Sequence, residues 1–321
     1  MINAAQVQAP FGVRSPVVNR AQPGESGGAV CARLADGRWH FQHGPIDLII
    51  GADGAAAAVD GALAQAWSRF QGVLTELVEE LRLLRSPVQD ALGVSGPVAR
   101  RMVEACWPHR GQFITPMAAV AGAVADELIG WLRADPRILR AYVNNGGDIA
   151  LHLAAGQRYK IGLYADLGRI KRREAHSLDG DFEIASEMPI RGVATSGWRG
   201  RSFSLGIADS VTVLAHTAAE ADAAATMLAN SVNVEDPAIL RRPACELKDD
   251  TDLGERMVTV GVGLLSADKV RRALEAGAAR ARNMVERGLI HAAALWLQGT
   301  ARAVGCESRA RSGWPVMKAK R

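Results

Sequence analysis

The apolar and polar positions alternate with a short period near the start of the chain. The predicted strands there are residues 29–34, 38–43 and 45–50, and the turn Ala35-Asp36-Gly37 separates the first two. A turn of this composition between two short apolar runs is typical of a β-hairpin. We therefore expect the chain to begin its fold as an antiparallel sheet.

Helical spacing of apolar residues follows and predicts several helices. A long amphipathic helix is predicted from about Ala55 to Leu84, and a shorter one begins near Pro97. Thr115-Pro116 is a strong start signal for a helix to about Leu132, and that helix is apolar all round, so we expect it to be buried. Thr217-Ala-Ala-Glu220 is a capping box that predicts a helix to about Asn230. The C-terminal third, from Ser266 onwards, is predicted to be helical.

The remaining strands complete a fold of the α+β class. They are predicted at residues 139–143, 148–153, 158–164, 190–195, 202–208, 211–215 and 257–261. This order predicts mostly antiparallel sheets packed with helices, because strands and helices do not alternate regularly. We expect an irregular lead-in at residues 1–27, one α+β domain at 28–305 that could hold two subdomains, and a basic tail at 306–321.

Composition narrows the classes of function. The net charge of +4 over 321 residues is too mild to favour nucleic acid as a partner. The four cysteines lie far apart and fit reduced thiols. Residues near the N-terminus lack the apolar run of a secretory signal, and no segment is apolar enough to span a membrane. We expect a cytoplasmic protein with a small-molecule or nucleotide ligand, and the sequence leaves a homodimer open.

The first candidate binding segment is Asn144-Asn145-Gly146-Gly147-Asp148, which follows a predicted strand. Two glycines let the backbone approach a ligand closely, and exposed amides there can hold phosphate oxygens. The same residues are also common in tight β-turns. Both interpretations remain open from the sequence.

The second segment is Thr195-Ser196-Gly197-Trp198-Arg199-Gly200-Arg201. Hydroxyl groups, main-chain amides and the guanidinium groups of Arg199 and Arg201 suit a pyrophosphate. A surface turn with two arginines is the alternative interpretation.

The third signal is Asp222 and Thr226, which are four residues apart on the capped helix and therefore share one face. A carboxylate and a hydroxyl are oxygen ligands of the kind that Mg²⁺ accepts. Most such helical pairs are only solvated.

Taken in chain order, these segments resemble the ApbE-like superfamily, whose best-known members are FAD:protein FMN transferases. The segments are Thr115–Leu132, Val143–Ile149, Ala194–Gly197, Ser210–Val213 and Ala221–Thr226, within a region from about Ala55 to Asn230. The resemblance implies an ApbE-like fold and a nucleotide site for FAD or FMN that the two glycine loops line. It also implies magnesium on Asp222 and Thr226, and we expect Thr115 to contact the ligand.

A narrower resemblance is to a cytoplasmic branch of that superfamily that brings no established activity. The signatures that carry it are His43-Gly-Pro-Ile-Asp47, Ile114–Gly122 and Tyr142–Asp148. The transferases have a lysine in the buried helix, where this chain has Gly122 or a neighbour. They also have a histidine-rich segment where this chain has Trp198–Asp209, which contains no histidine. This departure argues against protein flavinylation, because a catalytic base must lie within hydrogen-bond reach.

Three hypotheses remain. The leading one is a magnesium-dependent flavin-nucleotide hydrolase or transferase with no assigned catalytic base. The second is a catabolic enzyme of the same fold that acts on an unrelated metabolite, with acid or base groups among His152, His176, Asp148 and Asp209. The third is a non-catalytic flavin carrier or an interaction module.

Overall fold

The structure, a computed structural model, describes residues 28–90, 92–163, 180–305 and 318–319. Its strands are β1 Val30–Arg33, β2 Trp39–His43, β3 Ile46–Gly54, β4 Ile138–Asn145, β5 Asp148–Leu153, β6 Arg158–Leu163, β7 Gly180–Ala185, β8 Gly192–Ser196, β9 Ser210–Ala215, β10 Ile239–Pro243, β11 Met257–Val262, β12 Ala292–Leu297, β13 Thr300–Val304 and β14 Lys318–Ala319. Its α-helices are α1 Ala56–Glu79, α2 Leu81–Leu84, α3 Pro97–Cys106, α4 Val120–Arg133, α5 Ala218–Ser231 and α6 Ala267–Glu286.

One large antiparallel sheet organises the described residues. Nine strands lie in the order β1-β2-β3-β4-β5-β8-β9-β12-β13. Every neighbouring pair is antiparallel, and β5 joins β8 through Ile149↔Val193 and Ala150↔Gly192. The α+β class with mostly antiparallel pairing is therefore confirmed.

The two faces of this sheet bury different layers. Successive side chains of a strand point to opposite faces, so Val143 and Ala150 join the core beneath the helices. Tyr142 and Ile149 point the other way, into a second core. There they pack with the strands β6 and β7, which pair with each other and with β14. The molecule thus has a helical layer, a nine-stranded sheet and a small β-layer.

The sequence predicts α5 better than any other helix. Thr217 accepts a hydrogen bond from the Glu220 amide while the Glu220 side chain accepts one from the Thr217 amide, so the capping box is present. The helix α4 starts differently from its prediction. Thr115 makes no side-chain cap, Pro116–Ala119 forms a 3₁₀ turn, and the α-helix begins only at Val120.

Two predictions of secondary structure are wrong. Residues 202–208 form bends and loops rather than a strand. The C-terminal third is helical only in α6, and β12 and β13 then close the edge of the sheet. All six residues of β12 are buried, because the sheet is covered on both faces there. Such a strand shows no alternation, so periodicity does not distinguish it from a buried helix.

Several predictions lie outside the described residues: the lead-in 1–27, the tail 306–321, Cys306 and His176. The division of the chain into these segments stays a prediction. Among the helices that the structure describes, none combines the length and apolar character that crossing a bilayer requires.

Candidate functional site

Three separate elements bring candidate residues together beside α4. Asp222 lies on α5, and its Oδ2 accepts a hydrogen bond of 3.0 Å from the Gly122 amide. Asn145, at the end of β4, donates from Nδ2 to the Ala121 carbonyl at 3.1 Å. Asp148, at the start of β5, is close enough to Asp222 that its charge affects the pKa of Asp222. The hairpin turn and the helix therefore meet at the first turn of α4.

The exposure pattern of α5 shows which of its side chains face this recess. Asp222 and Thr226 are partly exposed, whereas the residues between them, 223–225, are buried. The predicted sharing of one helix face by the two residues is confirmed. The two oxygen-bearing side chains are thus partly exposed in the middle of a helix whose neighbouring residues are buried.

Asp222 also has a structural role. Its carboxylate accepts the amides of Ala121 and Gly122, in the first turn of α4. Asp126 of α4 does the same for α5 and accepts the amides of Ala218 at 3.0 Å and Ala219 at 2.8 Å. These amides have no partners within their own helices, so each helix caps the other.

The helices cross closely where these caps form. A methyl group on Gly122 would lie 2.2 Å from the Ala218 carbonyl oxygen. The position that could correspond to the lysine of the transferases therefore has no room for any side chain. Gly122 and Asp126 were not among the predicted site residues. The sequence does carry a signal for these reciprocal caps, because each helix has an aspartate four residues after a small residue. The pairs are Gly122 with Asp126 and Ala218 with Asp222.

The electrostatics of the recess disfavour two negative charges. Burial raises the pKa of Asp222 well above its usual range, and the carboxylate of Asp148 raises it further. Burial likewise raises the pKa of Asp148, while the Thr195 amide and the charge of Arg201 oppose that effect. Two such carboxyl groups favour a shared proton or a bound cation.

No group of three or more His, Cys, Asp and Glu side chains in the described ranges could hold a metal ion. A metal at Asp222 would therefore need hydroxyl, carbonyl, water or phosphate oxygens as additional ligands.

The glycines of the first segment form a tight turn. Gly146 and Gly147 have φ values of 69° and 118°, and Asn145 pairs with Asp148 across the hairpin. Two central residues with positive φ are typical of a two-residue hairpin turn. The Asn144 side chain accepts the Gly147 amide at 2.9 Å. That amide is thus satisfied within the turn, and Asn145 and Asp148 are the members that reach the recess.

The second segment is divided between the two faces of the sheet. The Thr195 amide donates to Asp148 Oδ1 at 3.1 Å, but its hydroxyl lies 3.0 Å from that of Thr212, on the face away from α5. Only the backbone of Thr195 therefore contacts the recess. Ser196 follows on the opposite face and is partly exposed. Gly197 allows close packing, since a methyl group there would lie 2.5 Å from the Asp209 carbonyl oxygen.

The two arginines of this segment have different environments. Arg199 Nε lies 3.7 Å from Asp209 Oδ1, and its guanidinium stacks on Trp198 at 4.9 Å. Asp209 is buried and also accepts the Gln298 amide at 2.6 Å. Arg201 is exposed, donates to the Pro45 carbonyl at 3.2 Å and acts electrostatically on Asp148. Arg201, rather than Arg199, is the arginine at the recess.

Thr115 is buried and donates its hydroxyl to the Asp252 carboxylate. Its carbonyl accepts from Cys106 Sγ at 3.4 Å. Burial, and then the charge of Asp222, raise the pKa of the Cys106 thiol. The Thr115 hydroxyl is therefore engaged by Asp252, and the Thr115 carbonyl by Cys106.

A separate cleft of about 510 Å³ lies between α1 and the end of α4, and its lining includes Gly61, Trp131 and Asp135. None of the predicted site residues lines it. The converging carboxylates lie in the recess and not in this cleft.

Sequence comparison bears directly on this arrangement. A family model described as "AbpE bacteria" matches residues 31–303, which include the whole recess. The chain belongs to this ApbE-like family. The match covers every strand of the large sheet except the first residue of β1 and the last of β13.

Individual relatives have lower coverage. A UPF0280 protein of Methanopyrus kandleri is 37% identical over 168 residues, which are 51% of this chain and 61% of the relative. A UPF0280 protein of Methanothermobacter thermautotrophicus is 38% identical over 172 residues, or 52% of this chain and 61% of the relative. The matches thus span about three fifths of the length of these relatives.

Among solved structures, the flavin transferase ApbE from Vibrio cholerae matches this chain at 15% sequence identity and a TM-score of 0.35. The match covers 62% of this chain and 85% of the transferase chain. A likeness this distant contributes nothing to the functional assignment.

Proposed function

We propose that this chain binds a flavin nucleotide together with Mg²⁺ in the recess formed by Asp148, Asp222 and Thr226. The flavin part of the proposal depends on membership of the ApbE-like family and on the motifs that resemble it. The phosphate and cation part depends on the geometry.

The observation that carries the proposal is that Asp222 and the hairpin that bears Asp148 converge on the first turn of α4: Asp222 accepts the Gly122 amide, and Asn145, which pairs with Asp148, donates to the Ala121 carbonyl. These side chains come from a hairpin and a helix that are far apart in sequence, and each is partly accessible. Their mutual repulsion disfavours the doubly ionised recess. A bound cation would remove this penalty, and carboxylate oxygens are ligands that Mg²⁺ accepts.

The donor set fits this ion. Asp222 accepts two amides, but an ionised carboxylate has about four acceptor positions and retains capacity for a metal. Thr226 offers a hydroxyl one turn along the same face of α5. When bound, magnesium would neutralise the charge of a diphosphate and orient it.

The protein supplies further contacts around that position. The exposed guanidinium of Arg201 is near Asp148 and can pair with a phosphate oxygen. The partly exposed Ser196 hydroxyl lies on the same face of the sheet as Asp148. Asp148 itself has a raised pKa, which suits a group that holds or releases a proton near neutral pH.

The structure makes the second hypothesis less attractive. His152 Nε2 is bonded to the Ile138 carbonyl at 3.0 Å, and burial lowers its pKa. Asp209 binds Trp198 and Gln298. Among the described candidates for acid or base, only Asp148 lies in the recess. Protein flavinylation is not expected, since Trp198–Asp209 contains no histidine and Gly122 has no room for a lysine.

Isothermal titration of the purified chain with FAD and with FMN, with and without Mg²⁺, tests the proposal. We expect binding that Mg²⁺ strengthens and that Asp222→Asn abolishes. Asp135→Asn is the matched control, because Asp135 lies just after α4 and pairs with the neighbouring Arg137. The absence of flavin binding at every Mg²⁺ concentration would refute the proposal. Analysis of FAD after prolonged incubation separates an enzyme, which yields FMN, from a carrier, which returns FAD intact.

A further inference from the structure

Three nitrogen-bearing side chains converge where the end of α3 meets α6. His109 ends the short 3₁₀ turn that follows α3. Arg280 lies on α6, and Arg287 directly follows its last residue. The two arginines are seven residues apart, so they lie on one face of the helix, about 10 Å apart along its axis. Side chains as long as those of arginine can reach a common point from these positions.

Contacts on either side of His109 hold the two guanidinium groups. Arg287 Nη2 lies 3.5 Å from the carbonyl oxygen of Pro108, the residue before His109. Arg280 Nη1 donates to the side-chain oxygen of Gln112, three residues after His109. His109 therefore lies between the two arginines.

The imidazole of His109 is buried and has no partner. His109 is only 7% exposed. Its ring makes no hydrogen bond to any residue in the part of the chain that the structure describes, although its nitrogens are not fully enclosed. A buried polar group without a partner costs free energy. The ring is thus available to a ligand that enters between the arginines.

No carboxylate offsets the charge of the two arginines in the described ranges, since neither forms an ion pair there. Burial, together with the charges of Arg280 and Arg287, lowers the pKa of His109 from 6.5 to about 4. Burial and the charge of Arg287 also lower the pKa of Arg280. The two cations therefore repel each other, and an anion between them would remove that repulsion.

We propose that His109, Arg280 and Arg287 bind a phosphate-class oxyanion, which is either inorganic phosphate or the phosphate group of a larger ligand. Guanidinium groups pair well with phosphate oxygens, and Arg280 retains N–H donors besides those on Nη1. Donors that approach from three positions suit a tetrahedral oxyanion. A single guanidinium would be enough for the two oxygens of a carboxylate.

This site is distinct from the recess. Ser231 Oγ accepts from Arg280 Nη1 at 3.2 Å and marks the end of α5 at the site. Ser231 lies nine residues after Asp222, which is about 13 Å along the helix. The inference therefore does not depend on flavin or magnesium binding.

Isothermal titration of the full chain with sulfate, at constant ionic strength and without flavin, tests this proposal. Sulfate keeps its double negative charge near neutral pH and has the geometry of phosphate. We expect one equivalent to bind, and Arg287→Ala to weaken the affinity by about tenfold or more. Arg287 is exposed, so this variant should keep its fold. The imidazole NMR signals of His109, assigned with His109→Gln, should shift as sulfate binds.

Arg282→Ala is the matched control. Arg282 lies on the same helix and carries the same charge, but it donates to Glu275. Its replacement should leave the affinity for sulfate unchanged. Equal weakening in Arg282→Ala and Arg287→Ala, or no binding to the unaltered chain, would overturn the proposal.

Two further probes distinguish the sources of the anion. Tighter binding of phenyl phosphate than of inorganic phosphate would indicate a phosphorylated ligand, and the reverse order would indicate free phosphate. Tighter binding of succinate than of either phosphate probe would contradict the preference for a tetrahedral oxyanion.

Discussion

Asp222 and Asp126 cap each other's helices. Asp222 on α5 accepts the Gly122 amide of α4 at 3.0 Å, and Asp126 on α4 accepts the Ala219 amide of α5 at 2.8 Å. Asp126 lies four residues after Gly122, and Asp222 lies four residues after Ala218. In each helix, the capping carboxylate therefore follows a capped amide by four residues. The residue proposed to hold magnesium therefore also fixes the crossing of the two central helices. Binding at Asp222 should thus be coupled to the packing of α4 against α5.

The crossing depends on Gly122, and replacing it with alanine should destabilise the protein. The added methyl group would lie 2.2 Å from the Ala218 carbonyl oxygen, so one helix must move. Overpacking of this kind costs about 1–3 kcal/mol, and the shift should also weaken flavin and Mg²⁺ binding. Urea unfolding of Gly122→Ala and titration with FAD measure the two effects.

Gly130 provides the control on the same helix. A methyl group at Gly130 would meet no atom within 4 Å. Gly130→Ala should therefore stabilise the helix by about 0.5–1 kcal/mol through its higher helix propensity. If the two variants lost the same stability, the close crossing would not be the cause.

The sequence predicts local structure where short-range rules apply. The hairpin around Ala35-Asp36-Gly37 and the capping box at Thr217 are both found, because each depends on a few adjacent residues. The buried strand β12 was taken for a helix, because its burial on both faces is decided by strands elsewhere in the chain.

For the candidate site, too, the sequence predicts the local relationships and misses those that depend on distant segments. The common face of Asp222 and Thr226 follows from helical spacing, and the structure confirms it. The direction of the Thr195 hydroxyl and the pairing of Arg199 with Asp209 depend on strand register and on a loop that the sequence did not define. The cap by Asp126 was missed, because it joins two helices that are far apart in sequence.

The pH dependence of stability should show whether the burial of Asp126 outweighs the two amide hydrogen bonds that it accepts. Burial raises the pKa of Asp126 to about 6 from an ordinary value of 3.8, although two amides lower it. A carboxyl group with a raised pKa contributes most to stability when it is protonated. That contribution is complete below about pH 4 and is lost as the pH rises through about 6.

Asp126→Asn has no such titration. The stability of the unaltered chain relative to Asp126→Asn should fall by roughly 2–3 kcal/mol between about pH 4 and pH 7. Urea midpoints of the two proteins across this range measure the difference. A difference that grows in favour of the unaltered chain as the pH rises would show instead that the charge stabilises the start of α5.

The two arginines of the Thr-Ser-Gly segment should have separable effects. Arg199 lies against Asp209 and Trp198, so Arg199→Ala should lower stability, by about 1 kcal/mol if the contact is worth what a partly exposed pair provides. Arg201 is exposed, so Arg201→Ala should leave stability within about 0.5 kcal/mol. Thermal unfolding of both variants measures these changes.

Ligand titration of the same variants should show the opposite ranking, with the larger effect in Arg201→Ala. Arg201→Ala should weaken the binding of FAD more than that of riboflavin, which lacks phosphate, because the guanidinium is proposed to pair with a phosphate oxygen. Arg199→Ala should change the two affinities equally. Equal losses for both ligands in Arg201→Ala would place the phosphates away from this arginine.

The paired carboxyl groups of the recess should make Mg²⁺ stabilisation depend on pH. Burial raises the pKa of Asp222, and Asp148 raises it further, so the ligand-free protein favours a protonated pair. Its stability should therefore fall as the pH rises from the ordinary carboxyl pKa of 3.8 through about 7, the raised pKa of Asp148. Mg²⁺ competes with these protons, so the rise in melting temperature that it causes should increase over the same interval.

Asp148→Asn removes one charge and lowers the pKa of Asp222, which should reduce both the pH-dependent loss and the Mg²⁺ effect. Thermal unfolding of the two proteins across this range, with Mg²⁺ and with EDTA, measures the pH-dependent loss of stability and the rise in melting temperature that Mg²⁺ causes. A Mg²⁺ effect that is independent of pH, or identical in Asp148→Asn, would mean that the ion binds outside the recess.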